Sequence, residues 1–324
     1  MPPATTTVVI PTYNRKTILR KTIEGYLRQT IREEILEILV VDDGSTDGTT
    51  EVVADLAQTS PIPIRYLRQE KKGQAGGRNY GIREARGEII LFGDDDVIPA
   101  PNMVEVHLAR HKAHPEPSFA VMGHVPWAPE VHPTPLMRWS IFKGPQLGYG
   151  HLTSGKKVGF TSCLFGNASL KLSFLKENGV FDESFHGWGC EDWELGYRLI
   201  QKGMVMIYDA DAVGYHYKRL TFAEMCQFPA KAAPSRRIFA ATEAGKVYFE
   251  GEKGARNSRR HRLQRLFVRI AVPFLLPLKP LLDSQIPLPW AVYRAFYHYY
   301  AYVVAKPDET WKATASARKV GERI

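Results

Sequence analysis

The sequence predicts an α/β fold, with a mostly parallel central sheet that carries helices on both faces and a C-terminal, largely helical extension. Two observations support this prediction. Over the first two hundred residues, short β-branched apolar runs alternate with longer segments of helical periodicity. Polar clusters follow three of the four apolar runs, as they do at the ligand-binding edge of an open parallel sheet.

The elements are predicted in order along the chain. The first strand and helix cover residues 6–11 and 16–29, and the second pair covers residues 37–43 and 49–57. The third pair covers residues 64–68 and 75–85, and residues 88–92 form a fourth strand. Later, a helix begins at Glu191, and residues 204–219 are predicted as a strand, a turn and a second extended segment.

Composition limits the classes of partner and compartment. The chain has 324 residues, a net charge of +9 and a pI near 9.3, which favours anionic partners such as nucleotide-linked substrates or phospholipid head groups. Its three cysteines lack C-x-x-C spacing, and the start "MPPATTTVVIPTYN" has no secretory-signal pattern. We therefore expect a cytoplasmic protein. The sequence is basic, but it contains no recognised nucleic-acid-binding module. We therefore expect no nucleic-acid partner.

Three strand exits carry polar residues to one edge of the predicted sheet. These exits are "PTYNR" at residues 11–15, "DDGSTDG" at residues 42–48 and "GDDDV" at residues 93–97. Each alone is compatible with ordinary turn and helix-cap chemistry. Their coincidence favours a ligand site.

The run Asp94, Asp95 and Asp96 places three like charges side by side after an apolar strand. A divalent cation bound by Asp94 and Asp96 would remove the repulsion, whereas Asp95 points to the other side of an extended segment. Hard oxygen ligands favour Mg²⁺ or Mn²⁺, either of which could hold a diphosphate. The alternative is a solvated acidic turn.

A glycine-rich segment, "KKGQAGGRNYG", precedes the third helix. Unpaired backbone N–H groups and the positive end of a helix dipole favour an anion there, and Arg78 adds two donors. A dinucleotide fingerprint would instead follow the first strand as G-x-G-x-x-G, which this sequence lacks.

The four motifs "VVIPTYNR", "ILVVDDGSTDGT", "GGRNYGI" and "LFGDDDV" resemble, in this order, the nucleotide-sugar-binding half of family 2 glycosyltransferases, which have the Rossmann-like GT-A fold. The resemblance covers about two thirds of the chain. It implies that residues 1–220 form the GT-A domain, with a nucleotide-sugar half of about residues 1–100 and an acceptor half of about residues 101–220. Residues 221–324 would form the extension.

The same resemblance implies roles for individual residues. Asp94 and Asp96 would hold Mg²⁺ or Mn²⁺ against the donor diphosphate, and Asp94, with Asp95 beside it, would meet the donor ribose. Arg78 would meet the phosphates. The residues implied for the nucleoside pocket are Pro11, Thr12, Tyr13 and Arg15, with Asp42 or Asp43 facing the base.

A second constellation, "FDESFHGWGCEDWELGYRLIQKG", begins at residue 181. Glu191 and Asp192 fall in the first turn of a predicted helix, where acidic residues also simply complement the helix dipole. Trp188 lies between two glycines and could present an aromatic face to a sugar or act as a core anchor. The segment resembles the acceptor side of β-galactosyltransferases, in which a common glycine stands where Cys190 does here. That resemblance implies Asp192 as the catalytic base, Glu191 as its substitute, and Trp188 and Gly189 as acceptor residues.

His216 is the histidine singled out as a metal ligand. The resemblance implies that it completes the metal shell, and neutral imidazole suits Mn²⁺ better than Mg²⁺. The alternative is a packed residue between Tyr215 and Tyr217.

Two further segments are predicted from composition. Residues 126–158 are rich in Pro and Gly and are expected to form a long loop, whose aromatic residues either stack on sugars or pin the loop to the body. After Leu220, basic and apolar residues mix without a span of about 20 apolar residues, so no membrane crossing is expected. The extension could instead attach to an anionic membrane surface at the inner face of the cell membrane, or pack on protein, including a second copy.

Together, these features predict an inverting, metal-dependent glycosyltransferase with a nucleotide-sugar donor, UDP-linked by resemblance, and a glycan or lipid-linked acceptor. Direct displacement at the anomeric carbon would use Asp192 to remove the acceptor proton. One alternative is a catalytically silent sugar-nucleotide or glycan-binding protein of the same fold. A nucleotidyltransferase is the other, although it would not explain the Trp-Gly-x-Glu-Asp segment.

Overall fold

The computed structural model describes residues 5–256 and 270–304. It is a mixed α/β structure around an eight-stranded sheet with the strand order β3-β2-β1-β4-β7-β6-β8-β5. The strands, in chain order, are β1 (Thr6–Thr12), β2 (Ile35–Asp42), β3 (Ile64–Arg68), β4 (Ile89–Gly93), β5 (Val97–Pro99), β6 (Phe119–His124), β7 (Asn167–Lys171) and β8 (Val205–His216).

Helices connect the strands and continue beyond them. The helices, in chain order, are α1 (Lys16–Leu27), α2 (Thr49–Thr59), α3 (Gly73–Glu84), α4 (Met103–Ala113), α5 (Pro135–Phe142), α6 (Leu172–Asn178), α7 (Glu191–Gln201), α8 (Phe222–Cys226), α9 (Phe228–Ala241), α10 (Glu243–Arg256) and α11 (Trp290–His298). None of those described has both the length and the apolar character that a bilayer crossing requires.

Strand register brings the predicted polar exits to one edge of the sheet. Strands β1, β2, β3 and β4 run parallel, and Thr12 pairs with Asp42 at the ends of β1 and β2. Strand β7 runs antiparallel to β4, so that Asn167 at its start faces Gly93 at the end of β4. The interior of the sheet is apolar on both faces, as the buried runs in β1, β2 and β4 require.

The α/β fold and its first seven elements are confirmed, with differences of a few residues at element ends. The loop predicted over residues 126–158 is wrong in part, because α5 forms within it. Thr134 caps this helix by accepting from the Met137 backbone N–H, with Pro135 at the first position. Two turns of helix are too short to produce a visible apolar period.

Residues 204–219 also differ from the prediction. They contain one strand, β8, rather than two segments separated by a turn. Its pairing with β6 shifts register between Gly123 and His124, so the "DAD" sequence at residues 209–211 is an irregularity within a continuous strand.

The chain forms two compact units. The first contains the described residues up to Val131 together with 151–186 and 191–218, and therefore the whole sheet. The second contains residues 132–150, 187–190 and the described residues from Arg219 onward. The predicted boundary at residue 220 stays a prediction, and most of the basic run at residues 256–269 lies outside the described residues.

Aromatic packing organises the second unit. Trp139 of α5 is buried against Tyr293 and Tyr297 of α11, with ring centroids 6.1 and 6.2 Å apart. Tyr149 is also buried, as is Trp127 in the first unit. The suggestion that these aromatic side chains in residues 126–158 stack on sugars is therefore wrong, because they pin their segments to the protein body.

Candidate active site

The three consecutive aspartates lie at the exit of β4, and two arginines compensate their charge. Arg15 Nη1 lies 3.0 Å from Asp95 Oδ1 and 2.6 Å from Asp96 Oδ2. Arg78 Nη2 lies 3.0 Å from Asp94 Oδ1. Each carboxylate therefore has a guanidinium partner, and the repulsion that favoured a bound cation in the sequence is already relieved by the chain itself.

Burial and neighbouring charges separate the pKa values of Asp95 and Asp96. Burial raises the pKa of Asp95 to about 7, although Arg15 opposes the rise and Thr12 donates a hydrogen bond of 2.8 Å to Asp95 Oδ2. Burial acts to raise the pKa of Asp96 as well, but contact with His216 and the charge of Arg15 outweigh it, and the pKa of Asp96 is lowered. The ionised carboxylate in this pair is therefore Asp96.

Arg78 joins the acidic cluster to the first turn of α7. Its guanidinium donates to Asp192 Oδ1 at 2.7 Å and to Asp94 Oδ1 at 3.0 Å, and Glu191 Oε1 lies 3.9 Å away. The Arg78 side chain is only 1% exposed. Such a buried cation is stable because carboxylates on two elements surround it.

Glycines allow α3 to bring Arg78 this close to the sheet. A Cβ at Gly81 would lie 2.3 Å from Val9 Cγ1 of β1, so a larger residue would push α3 away. Next to Arg78, Asn79 donates to the Phe181 carbonyl at 2.8 Å and accepts from the Phe181 backbone N–H at 2.9 Å. The Arg-Asn pair thus fixes both α7 and the segment that leads to it.

The two acidic residues of α7 occupy different environments. Burial raises the pKa of Glu191 to about 8, and the negative charge of Asp192 adds to the rise. Burial also raises the pKa of Asp192, against the opposing charge of Arg78. Asp192 Oδ2 accepts from the Phe165 backbone N–H at 3.0 Å, and its side chain is still 15% exposed. Asp192 is therefore held in position by two hydrogen bonds, with a raised pKa and part of its side chain exposed.

Cys190 immediately precedes α7 with a φ of 76°, and Gly189 before it has a φ of 84°. A left-handed backbone at a residue with a Cβ is costly, which explains why glycine suits the position of Cys190. Trp188 and Gly189, the predicted acceptor residues, belong to the second unit. Trp188 is 43% exposed, and its ring lies 4.9 Å from that of Phe228.

The residues predicted for the nucleoside pocket lie at the exits of β1 and β2. Tyr13 is 40% exposed with Lys71 Nζ 4.1 Å from its ring centroid, and Pro11 is partly buried. Asp42 is fully buried and accepts from the Ser45 backbone N–H at 2.8 Å and from the Tyr66 hydroxyl.

Asp43 accepts from the backbone N–H groups of Lys72 and Gly73 at 2.7 and 2.9 Å. Both Asp42 and Asp43 therefore organise turns, and their contact with a nucleoside stays a prediction.

The predicted metal ligands carry chemical groups that bind divalent cations. Two carboxylates and an imidazole suit Mn²⁺, and His216 Nε2 lies 3.5 Å from Asp96 Oδ2. His216 Nδ1 is buried with no hydrogen-bond partner in the described residues, and the ring stacks on Trp127 at 4.7 Å. Asp94 is instead turned toward Arg78. Across residues 5–256 and 270–304, no three His, Cys, Asp or Glu side chains converge as a metal site.

Sequence reasoning missed several residues that shape this site. Gln74 donates to Asp94 Oδ1 at 2.9 Å, and a Cβ at Gly166 would lie 2.3 Å from Asp94 Oδ2. The Phe165 backbone and Asn79 hold α7 and the loop before it. The adjacency of Asn79 to Arg78 was the available signal, whereas the contacts of residues 165 and 166 depend on the pairing of β7 with β4 and carry no local pattern.

Two family models match overlapping parts of this chain. The family model described as glycosyl transferase family 2 matches residues 7–166, and the model described as the N-terminal domain of galactosyltransferase matches residues 153–219. The chain belongs to glycosyltransferase family 2. The two matches overlap over residues 153–166, which lie between the acidic cluster and α7 in the sequence of this family 2 glycosyltransferase.

Relatives of this family 2 glycosyltransferase include validoxylamine A glucosyltransferase from Streptomyces hygroscopicus subsp. limoneus, which is 34% identical over 64% of this chain and 50% of its own length. Chondroitin synthase from Escherichia coli is 28% identical over 64% of this chain and 34% of its own length. The chain thus spans about half the length, or less, of these relatives.

A solved structure, the mannosyltransferase PcManGT from Pyrobaculum calidifontis in complex with GDP-Man and Mn²⁺, shares the fold. It has a TM-score of 0.55 and 21% identity, with coverage of 93% of this chain and 85% of the other.

Proposed function

We propose that this chain is an inverting, metal-dependent glycosyltransferase that moves a sugar from a nucleoside-diphosphate donor to a hydroxyl group of an acceptor. The observation that carries the proposal is the single guanidinium of Arg78, which contacts both Asp94 and Asp192. The acidic cluster beyond β4 and the candidate base of α7 are therefore neighbours in one site. A protein that only binds a sugar nucleotide would need the acidic cluster but not the candidate base.

In this proposal, Asp192 is the general base. The acceptor hydroxyl oxygen attacks the anomeric carbon, the bond from that carbon to the diphosphate oxygen breaks, and the hydroxyl proton passes to the Asp192 carboxylate. Attack opposite to the leaving group inverts the anomeric configuration. The raised pKa of Asp192 brings it nearer to neutral pH, which favours proton transfer, and the fixed bonds from Arg78 and Phe165 orient the carboxylate.

Arg78 is a positioning residue in this arrangement, since Nη1 donates to Asp192 and Nη2 donates to Asp94. The role of meeting the donor phosphates stays a prediction. Glu191, whose raised pKa favours the protonated form at neutral pH, is less suited to act as the base than Asp192.

Asp94, Asp96 and His216 would hold Mn²⁺ or Mg²⁺. A metal there supplies Lewis-acid stabilisation of the negative charge on the departing nucleoside diphosphate. Mn²⁺ also accompanies GDP-Man in the mannosyltransferase PcManGT, which shares this fold. Family resemblance favours UDP as the nucleoside diphosphate, with the Asp94–Asp95 segment and Tyr13 on the donor side.

A panel of nucleotide sugars with Mn²⁺ tests the proposal. The true donor should raise the unfolding temperature and undergo slow Mn²⁺-dependent hydrolysis that releases a nucleoside diphosphate. Asp192→Asn should retain the thermal shift and lose about 10²–10⁴-fold in turnover. Asp55→Asn, an exposed position on α2, is the matched control and should keep wild-type turnover.

Three outcomes would count against the proposal. Equal turnover by Asp192→Asn would remove Asp192 from the role of base. Donor binding without turnover by the wild-type protein would favour a silent binding protein. Release of a sugar 1-phosphate from the nucleotide sugar, through attack on its α-phosphorus, would favour a nucleotidyltransferase.

We further propose that the second unit contacts the anionic inner face of the cell membrane, where lipid-linked acceptors reside. Phe274 is 81% exposed, and Ile270, Ile286 and Trp290 are also exposed in this unit. The net charge of +9 complements anionic lipid.

Sedimentation with phosphatidylglycerol vesicles tests this proposal. Wild-type protein should sediment at low salt and be released at high salt. Phe274→Ser should sediment less than Val247→Ser, which changes another exposed apolar side chain. Wild-type protein that stays in the supernatant and forms dimers would instead indicate packing of the extension on a second copy.

A further inference from the structure

A cavity outside the Arg78 site lies in the first unit and has a volume of about 330 Å³. Its lining includes His151, Thr153, Lys156, Lys157, Ser162 and Tyr208, and no carboxylate is among the lining residues. We call it the basic cavity. With Thr161, the lining carries two ammonium groups, four hydroxyls and an imidazole, so the cavity offers several hydrogen-bond donors.

The two lysines of the basic cavity make no side-chain ion pair in the described part of the chain, and both are exposed. Their backbones are fixed instead, because the Lys156 carbonyl accepts from the Tyr208 N–H at 3.0 Å and Lys157 bridges to Ile207 of β8. His151 Nε2 lies 2.9 Å from Ser162 Oγ, so these two lining side chains hold each other in place. A fixed backbone that presents uncompensated cations favours an anionic ligand.

The basic cavity lies close in the chain to the segment that positions the candidate base. Ser162 ends a short 3₁₀ segment (Phe160–Ser162) that packs on α7, where the rings of Phe160 and Tyr197 lie 5.3 Å apart. Three residues later, the Phe165 N–H donates to Asp192. Three Cα–Cα steps span at most about 11 Å, so Ser162 lies within that distance of the residue that holds the base.

We propose that the basic cavity binds an anionic group, a phosphate or a carboxylate, carried by the acceptor at a distance from the hydroxyl that is glycosylated. The inference rests on the proposed function and adds a substrate class, namely acidic acceptors. Lys156 and Lys157 supply the charge, and Thr153 and Ser162 supply hydroxyl donors. Recognition there is separate from the donor side, since none of the residues at the exits of β1, β2 and β4 lines this cavity.

Calorimetric titration of the full chain with glucose 6-phosphate, glucuronic acid and glucose tests this inference. The variant Lys156→Ala/Lys157→Ala removes the cavity charge. Lys176→Ala/Lys202→Ala removes two exposed lysines elsewhere in the first unit and is the matched control. The three sugars separate a phosphate site from a carboxylate site and from a neutral sugar site.

The wild-type protein and the control should bind at least one of the two acidic sugars, with glucose at least tenfold weaker. The cavity variant should bind that acidic sugar at least tenfold more weakly than the wild type. Absence of acidic-sugar binding by the wild type, or unchanged binding by the cavity variant, would overturn the inference.

Donor hydrolysis measured on the same proteins keeps the two proposals distinct. The cavity variant should hydrolyse the nucleotide sugar at the wild-type rate, because the donor side is untouched. If the wild type hydrolyses no nucleotide sugar, the glycosyltransferase proposal fails, while the anion site is still judged by the calorimetry alone. If hydrolysis is normal but acidic sugars do not bind, only the anion site fails.

Discussion

Lowering the pH from 7 to 5 should destabilise the protein through two buried histidines on α4. His107 Nδ1 and His111 Nε2 both lie 2.8 Å from Ser169 Oγ, and His107 Nε2 lies 2.9 Å from Asn167 Oδ1. Every donor finds an acceptor if His111 donates to Ser169, Ser169 donates to His107 and His107 donates to Asn167. That assignment uses one proton per imidazole, so both rings are neutral.

Burial is the main cause of the lowered pKa values, about 4 for His107 and about 3 for His111. The charges of His107 and Lys171 lower the pKa of His111 further, and Asp209 acts in the opposite direction on His107. In the unfolded chain both should titrate near 6.5.

Between the folded and unfolded pKa values, the unfolded chain binds more protons. Stability from these groups is therefore fully present above the unfolded value and is lost as the pH falls toward the folded values. At pH 5 the loss is about 2 kcal/mol for each histidine, or about 4 kcal/mol together. That is a large fraction of the roughly 5–15 kcal/mol that stabilises a typical domain.

Urea denaturation at pH 7 and pH 5 measures this loss. The decrease in the free energy of unfolding should be about 4 kcal/mol larger for the wild type than for His107→Gln/His111→Gln, whatever the variant's stability at pH 7. Lys112→Gln, an exposed change on the same helix, should keep the wild-type decrease. Imidazole resonances of His107 and His111 that titrate above pH 6 in the folded protein would refute the reasoning.

Three further predictions concern the site and its support. Arg78→Met should lower the free energy of unfolding by about 3 kcal/mol in urea denaturation, since the two carboxylates it bridges lose their shared cation; a loss below 1 kcal/mol would contradict its role. Gly81→Ala should cost about 1–3 kcal/mol in the same assay through collision with Val9, whereas Gly159→Ala, with no neighbour within 4 Å, should cost little. His216→Ala should raise the Mn²⁺ concentration needed for half-maximal hydrolysis, and an unchanged requirement would leave this ring a packing role.

Local patterns were sufficient to predict the first four strands and the three helices between them. The runs that became β1, β2, β3 and β4 are apolar and β-branched, so their periodicity and their polar exits could be recognised without tertiary information. The same reasoning failed for α5, a two-turn helix whose buried face is defined by Tyr293 and Tyr297 of a distant segment. Membership of residues 132–150 in the second unit depends on such long-range contacts.

Residue types in the site were predictable, but their partners were not. The sequence marks Arg15, Arg78 and the three aspartates as chemically important, yet the resemblance assigned both arginines to a donor. Arg15 lies about 80 positions from Asp95 and Asp96, and Arg78 lies 114 positions from Asp192. Pairing over such separations is set by strand order and by the close approach of α3, for which the glycines were the available signal.

The two arginines also explain how the acidic cluster can be stable when no metal is bound. Three aspartates at a strand exit would repel one another in the absence of a metal, and burial would favour their protonation. Because Arg15 pairs with Asp95 and Asp96 while Arg78 pairs with Asp94, the chain supplies its own counter-charges. A divalent cation that binds Asp94 and Asp96 must therefore compete with guanidinium groups that already compensate those carboxylates. Because Arg15 competes for Asp96, Arg15→Met should tighten Mn²⁺ binding in a Mn²⁺ titration while lowering the stability of the metal-free protein.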